Sequence, residues 1–211
     1  MYPKKNTLLA LLMTSLIGST FAVQQAAGEE IFSHTFDEES AKKRTADGFS
    51  IFGAELAGSA VTKREFVSRP NSACITVDMA QDTWGDILLK DEDMRGNTLD
   101  LRDATLSVKI KSSSSFAGSE LGVVGFKLID ADGTENRTDE FDLFKPTSTF
   151  AEFKQHVSDL YFIETPGSDP ALDLKHIARY AIVIYDKNDK NKKVTFYLDD
   201  FKAAREGIPG L

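Results

Sequence analysis

The chain has 211 residues, of which 41% are hydrophobic, and 33 acidic residues against 25 basic ones give a net charge of −8. That acidity argues against nucleic acid or an anionic membrane surface as a partner. A single cysteine, Cys74, excludes an intrachain disulfide, so stability must come from the core and from any bound ion.

The N-terminus predicts export. Lys4 and Lys5 precede the apolar run "TLLALLMTSLIG" (Thr7 to Gly18), and small residues follow it, with Thr20-Phe21-Ala22 as the preferred cleavage site. This is the pattern of a secretory signal peptide, whose apolar run is too short for a stable membrane span. Residues 1–22 are read as the signal peptide and 28–206 as one domain, secreted or periplasmic, with no membrane insertion. Cleavage leaves 189 residues (211 − 22) and, without Lys4 and Lys5, a charge of −10. That length suits one domain with a substantial core.

Strands are expected, in chain order, over Glu30–Phe36, Phe49–Phe52, Ala60–Val67, Ala73–Met79, Asp86–Leu89, Ala104–Lys111 and Gly122–Asp130. Glu140–Leu143, Phe150–Val157, Arg179–Tyr185 and Lys193–Phe201 complete the set. Val, Ile, Phe and Thr dominate these segments, and "TLSVKIK" alternates cleanly, with Leu106, Val108 and Ile110 on one face and Lys109 and Lys111 on the other. "DADG", "SSSSFAGS" and "DKNDKNKK" carry turn chemistry, and one helical turn is expected near Asp173–Ile177. Many short strands at regular spacing predict an all-β fold, a sandwich of two antiparallel sheets. Cys74 lies between strand residues and is read as a buried apolar thiol.

Several motifs follow one another in a telling order: "TWGD" from Thr83, "NTLDLRDATLSVKIKS" from Asn97, "GFKLIDADGTE" from Gly125, "FAEFKQHVSDL" from Phe150, "PALDLKHIARYAIVIY" from Pro170 and "KKVTFYLDDF" from Lys192. Together they resemble the β-jelly-roll carbohydrate-binding modules of secreted glycan-degrading systems, in the broad galactose-binding-like fold. The resemblance covers roughly residues 84–202, and before it only "FSHTFDEE" matches. It implies a jelly roll, a polysaccharide or other glycan as partner, and a structural Ca²⁺ bound by an acid of the last strand together with acids that follow the first. In this chain those positions are Asp199, Asp37 and Glu38. Hard oxygen ligands from both chain ends would tie the termini together. The alternative for Asp199 is a strand cap that accepts backbone N–H groups. By alternation Asp199 and Asp200 point to opposite faces unless the strand bulges.

"DADGTENRTDE" does not suit a calcium loop of the EF-hand type, since Gly133 would put Leu128 at the first ligand position; an Asp-Gly hairpin turn after Ile129 fits instead. The three histidines, His34, His156 and His176, show no metal-binding spacing, and no serine sits in a G-x-S-x-G element. "KQH" (Lys154 to His156) is a faint trace of jelly-roll alginate lyases, whose other signatures are missing. The chain is therefore read as non-enzymatic, with a lyase or glycosidase as a minor alternative.

Parity yields an outward set, and from it the candidate ligand-binding residues are Tyr185, Arg179, Lys127, Lys109, His156 and Trp84. Tyr185 is its main ring; Trp84 opens a strand, a position that suits the core better than a platform. The set is rich in cations and poor in rings, which leaves two accounts: lysines guarding an exposed sheet against aggregation, which is preferred, or a basic groove for an acidic glycan. A secreted structural or adhesive scaffold without sugar binding is the remaining alternative, and exposure of Tyr185 and Trp84 would separate it from a sugar-binding face.

Overall fold

The computed structural model describes residues 28–35, 49–52, 55–62, 67, 72–78, 84–89, 97–112, 121–163, 171–186 and 193–206; for 49–62, 77–78, 84–89, 121–123, 185–186 and 193–194 it describes the backbone alone. The expected signal peptide, Asp37 and Glu38 lie outside these residues. No helix among the described residues is long and apolar enough to cross a membrane.

Twelve strands are described: β1 (Glu29–His34), β2 (Phe49–Phe52), β3 (Glu55–Thr62), β4 (Ser72–Asp78), β5 (Trp84–Leu89), β6 (Ala104–Ser112), β7 (Leu121–Asp130), β8 (Glu135–Arg137), β9 (Ala151–His156), β10 (Tyr161–Phe162), β11 (Ile177–Asp186) and β12 (Lys193–Arg205). They form two sheets. The first runs β3-β4-β12-β6-β9, with β1 also paired to β12, and the second runs β10-β8-β7-β11-β5-β2. Every described pairing is antiparallel. Consecutive strands repeatedly fall in different sheets, as the expected jelly-roll sandwich requires.

The core lies between the sheets. Leu106, Val108 and Ile110 of β6 and Phe153 of β9 face Val124, Phe126 and Leu128 of β7 and Tyr180, Ile182 and Ile184 of β11. Burial of such side chains contributes about 1.5–3 kcal/mol each, which is why period-two alternation predicts these strands well. Rings fill the middle: Phe126 stacks on Phe153 at 4.6 Å, and Phe32 on Tyr180 at 4.4 Å.

Some elements differ from expectation. Ala60–Val67 is placed too late, since β3 ends at Thr62. Glu140–Leu143 is a turn, closed by Asp142 N–H donating to Asp139 O at 3.0 Å, and its apolar residues Phe141 and Leu143 serve a loop. The short strands β8 and β10 were not expected, because three and two residues offer too little periodicity to read. Near Asp173 there is a turn, with His176 N–H on Asp173 O at 2.9 Å, and no helix. The hairpin after Ile129 is as expected: Gly133 takes φ +91°, and Asp130 Oδ1 accepts the N–H groups of Asp132 and Thr134. Cys74 is half-buried, because Ala73 and Ile75 take the core side and leave it on the outer face.

The last strand holds the main irregularity. Asp199 pairs with Lys109 but Lys202 pairs with Ser107, so β12 carries one residue more than β6 across this interval. Asp200 absorbs the extra residue at φ +47°, in the left-handed region where Asp is tolerated better than most side chains. Phe196 and Leu198 face the core before the bulge; Phe201 and Ala203 face it afterwards. Strict alternation through Asp199 and Asp200 is thereby broken.

Candidate functional site

Parity separates inside from outside but not one sheet from the other. Lys109 (β6) and His156 (β9) lie on the outer face of the first sheet, whereas Lys127 (β7), Arg179 and Tyr185 (β11) and Trp84 (β5) belong to the second. The six candidates therefore occupy opposite sides of the sandwich and cannot line one groove. That corrects the single outward set inferred from the sequence.

On the first sheet the polar side chains are engaged with one another. Lys109 Nζ lies 2.6 Å from Asp200 Oδ2, and that hydrogen bond holds the ammonium pKa above its ordinary value. His156 Nδ1 accepts the N–H of Ser158 and sits 2.7 Å from its hydroxyl, capping the 3-10 turn Val157–Asp159. Lys111 sits 4.8 Å from the centroid of Tyr197 and 5.4 Å from that of Phe150. Those cation–π contacts tie β6 to β12 and to the residue that precedes β9.

The outer face of the second sheet is different. Directly opposed residues of antiparallel strands share a face, so the register can be read across it in rows. Tyr161 pairs with Arg137, Arg137 with Lys127, Lys127 with Ala181, and Ala181 with Leu88. On one side of that row lie Glu135, Ile129 and Arg179. On the other lie Gly125, Val183 and Asp86, followed by Val123, Tyr185 and Trp84. Trp84 and Tyr185 are thus register partners; their side chains are outside the described set.

The middle of this face is a floor of small groups. Ala181 and Val183 point away from the core yet are only 1% and 2% exposed. Tyr161, at the sheet edge, is 60% exposed, and Arg179 is exposed as expected. Lys127 is not exposed as expected: it is 6% accessible and pairs with Glu135 Oε1 at 3.1 Å, a charge that burial obliges to find a partner. Tyr161 was missed by sequence reasoning because its two-residue strand has no readable period. Only its aromatic character in "LYF" marks it.

The expected metal ligand Asp199 is fully buried. Its Oδ2 accepts the N–H of Val67 at 2.7 Å and its Oδ1 that of Asp200 at 2.9 Å, so it serves as a cap across the bulge. Among the described residues no three His, Cys, Asp or Glu side chains converge as a metal site. The chain ends are tied in another way: β1 pairs with β12 from Glu29–Arg205 to His34–Phe201, and Arg205 also bonds Glu29, Asp100 and Arg102.

No protein-family model and no curated protein sequence matches this chain. Solved structures do. A family 11 carbohydrate-binding module from Clostridium thermocellum, in complex with a β-1,3-1,4-mixed-linked tetrasaccharide, superposes with a TM-score of 0.54 at 15% identity, covering 84% of this chain and 98% of the module. The same family's module from the cellulosomal cellulase Lic26A-Cel5E of that organism gives 0.52 at 14% identity, over 84% and 96%. An exo-β-agarase gives 0.54 at 9% identity, covering 83% of this chain and 25% of the enzyme. The fold is therefore the jelly-roll β-sandwich of carbohydrate-binding modules. Identities this low speak for fold alone.

Proposed function

We propose that this is an exported, non-enzymatic carbohydrate-binding domain that holds a hydroxyl-rich, largely neutral polysaccharide on the outer face of its second sheet. The observation that carries the reading is the exposed ring of Tyr161 paired with Arg137 at the sheet edge, with exposed Arg179 on the same face. A pyranose needs an apolar ring face to stack on and polar groups at its rim. Tyr161 supplies an exposed ring at the sheet edge, while Arg137, Arg179 and Glu135 supply hydrogen-bonding groups. The acidic-glycan reading loses support, since Lys109 and His156 sit behind this face and Lys127 is already neutralised by Glu135. Similarity to a module complexed with a mixed-linked tetrasaccharide supports β-glucans as the first ligands to try.

A structural Ca²⁺ held by Asp199, Asp37 and Glu38 belongs to the same proposal. At the end of β1, His34 pairs with Phe201, the residue that follows the bulge. The ion would act as a tie between the chain ends.

The test is a glycan array followed by affinity electrophoresis of variants. Tyr161→Ala and Arg179→Ala should each weaken binding, about threefold to tenfold for the ring, while the fold stays intact because both residues are exposed. Lys109→Ala and His156→Ala, on the opposite face, should leave affinity unchanged, and salt should have little effect. If no glycan binds, a structural or adhesive scaffold becomes the better reading. If binding is abolished by salt or follows Lys109, the assigned face is wrong.

A further inference from the structure

Phe141 is 89% exposed, a large apolar ring left in water. It stands in the short excursion 139–143, and both feet of that excursion are clamped to β7. At one foot Thr138 N–H donates to Phe126 O at 2.9 Å while Phe126 N–H donates to Thr138 Oγ1 at 2.8 Å. At the other, Phe144 and Val124 exchange N–H···O bonds of 2.8 Å each. Within the turn, Phe141 N–H donates to Asp139 Oδ1 at 3.0 Å.

The turn lies on the side of the sheet that carries the proposed site. Gly125 pairs with outward-facing Val183, so its missing side chain would point outward too. A Cβ there would come within 2.9 Å of Leu143 Cδ2. Leu143 thus folds over the outer face at β7, which puts the turn carrying Phe141 on that side of the sheet. Tyr161 exposes its ring on that face two strands away, paired to Arg137, four residues before Phe141 in the chain. Glu140 and Asp142, both exposed, flank the ring with carboxylates that can accept sugar hydroxyls.

We propose that Phe141 is a specificity-determining residue of this site: its ring stacks on a sugar unit beyond those held at Tyr161 and Arg179, so that the site favours longer chains. The inference rests on the glycan-binding reading of the second sheet's outer face. A ring on a clamped turn is already ordered, so little conformational freedom is lost when it meets a ligand. Stacking also explains why an apolar side chain is kept exposed among acids.

The experiment is isothermal titration of a graded series of β-1,3-1,4-mixed-linked gluco-oligosaccharides into wild type, Phe141→Ala, Phe141→Tyr and Tyr161→Ala. Phe141→Ala should reduce affinity for the longest members about threefold to tenfold and leave the shortest binders and the melting temperature unchanged. Phe141→Tyr should retain wild-type behaviour. Equal affinity of Phe141→Ala and wild type at every length, with binding still weakened in Tyr161→Ala, overturns the proposal and leaves the site assignment standing. A uniform loss at all lengths also overturns it, because Phe141 would then contact the same sugar units as Tyr161. Absence of binding by wild type removes the glycan reading and this inference together.

Discussion

The Asp199 carboxylate caps backbone N–H groups at the bulge of β12. It is fully buried and accepts the N–H of Asp200, at the bulge, and that of Val67, from a bend outside the strands. Asp199→Ala should therefore destabilise the domain by about 1–3 kcal/mol in all, because it removes the acceptor of both N–H groups, measured by urea denaturation. The same variant tests the proposed calcium. An ion bound only by the folded state adds about 3 kcal/mol at a hundredfold excess over its Kd. EDTA should then lower the wild-type melting curve and leave that of Asp199→Ala in place. If the wild-type curve does not move, the calcium proposal fails and capping alone accounts for the residue.

At the scale of elements, two features decide what the outer faces present. The bulge in β12 keeps the strand in register with the core on both sides: Leu198 and Phe201 both point inward although they are three residues apart. Without it, one half of the strand would turn its apolar set to solvent. The second feature is the seating of the 139–143 turn on β7. A Cβ on Gly125 would lie 2.7 Å from Thr138 Cβ and 2.9 Å from Leu143 Cδ2. Gly125→Ala should thus cost about 1–3 kcal/mol through overpacking, read in chemical denaturation. Gly133→Ala has open space around its Cβ and should cost only the left-handed strain of φ +91°, on the order of 1 kcal/mol. Equal losses at both sites would mean that the turn is not held against β7 as described.

Over the whole molecule, the fold is closed where its ends meet. Arg205 of β12 donates to Asp100 O and Arg102 O and bonds Glu29 of β1, while Asp100 also receives the Arg102 guanidinium at 2.6 Å. The hydrogen bonds from Arg102 hold the Asp100 carboxyl well below its usual range, with Arg205 adding to the effect. A carboxylate depressed in the folded state contributes stability that is complete above its unfolded value, near 3.8, and fades as the pH falls through the folded one. Asp100→Asn should accordingly melt below wild type at neutral pH, and the gap should narrow as the medium is acidified below pH 4. Because the group is solvent-exposed the gap will be small. A gap that stays constant into strong acid would show that the charge of Asp100 contributes nothing.

The sequence by itself determined the strands with long alternating runs, such as β6, β7 and β11, because core burial imposes a period that any reader can count. It also determined the Asp130–Gly133 hairpin, whose residue types are required by local backbone geometry, and the jelly-roll resemblance, carried by motifs in order. Other features belong to the tertiary structure. Lys109 and Arg179 have the same outward parity but sit on opposite sheets, since sheet membership is fixed by long-range pairing that no local pattern encodes. Lys127 is buried because Glu135 arrives from another strand. Tyr161 and Phe141 lie in segments too short for periodicity, and only the pairing of β10 with β8 and the clamping of the turn to β7 bring them to the outer face.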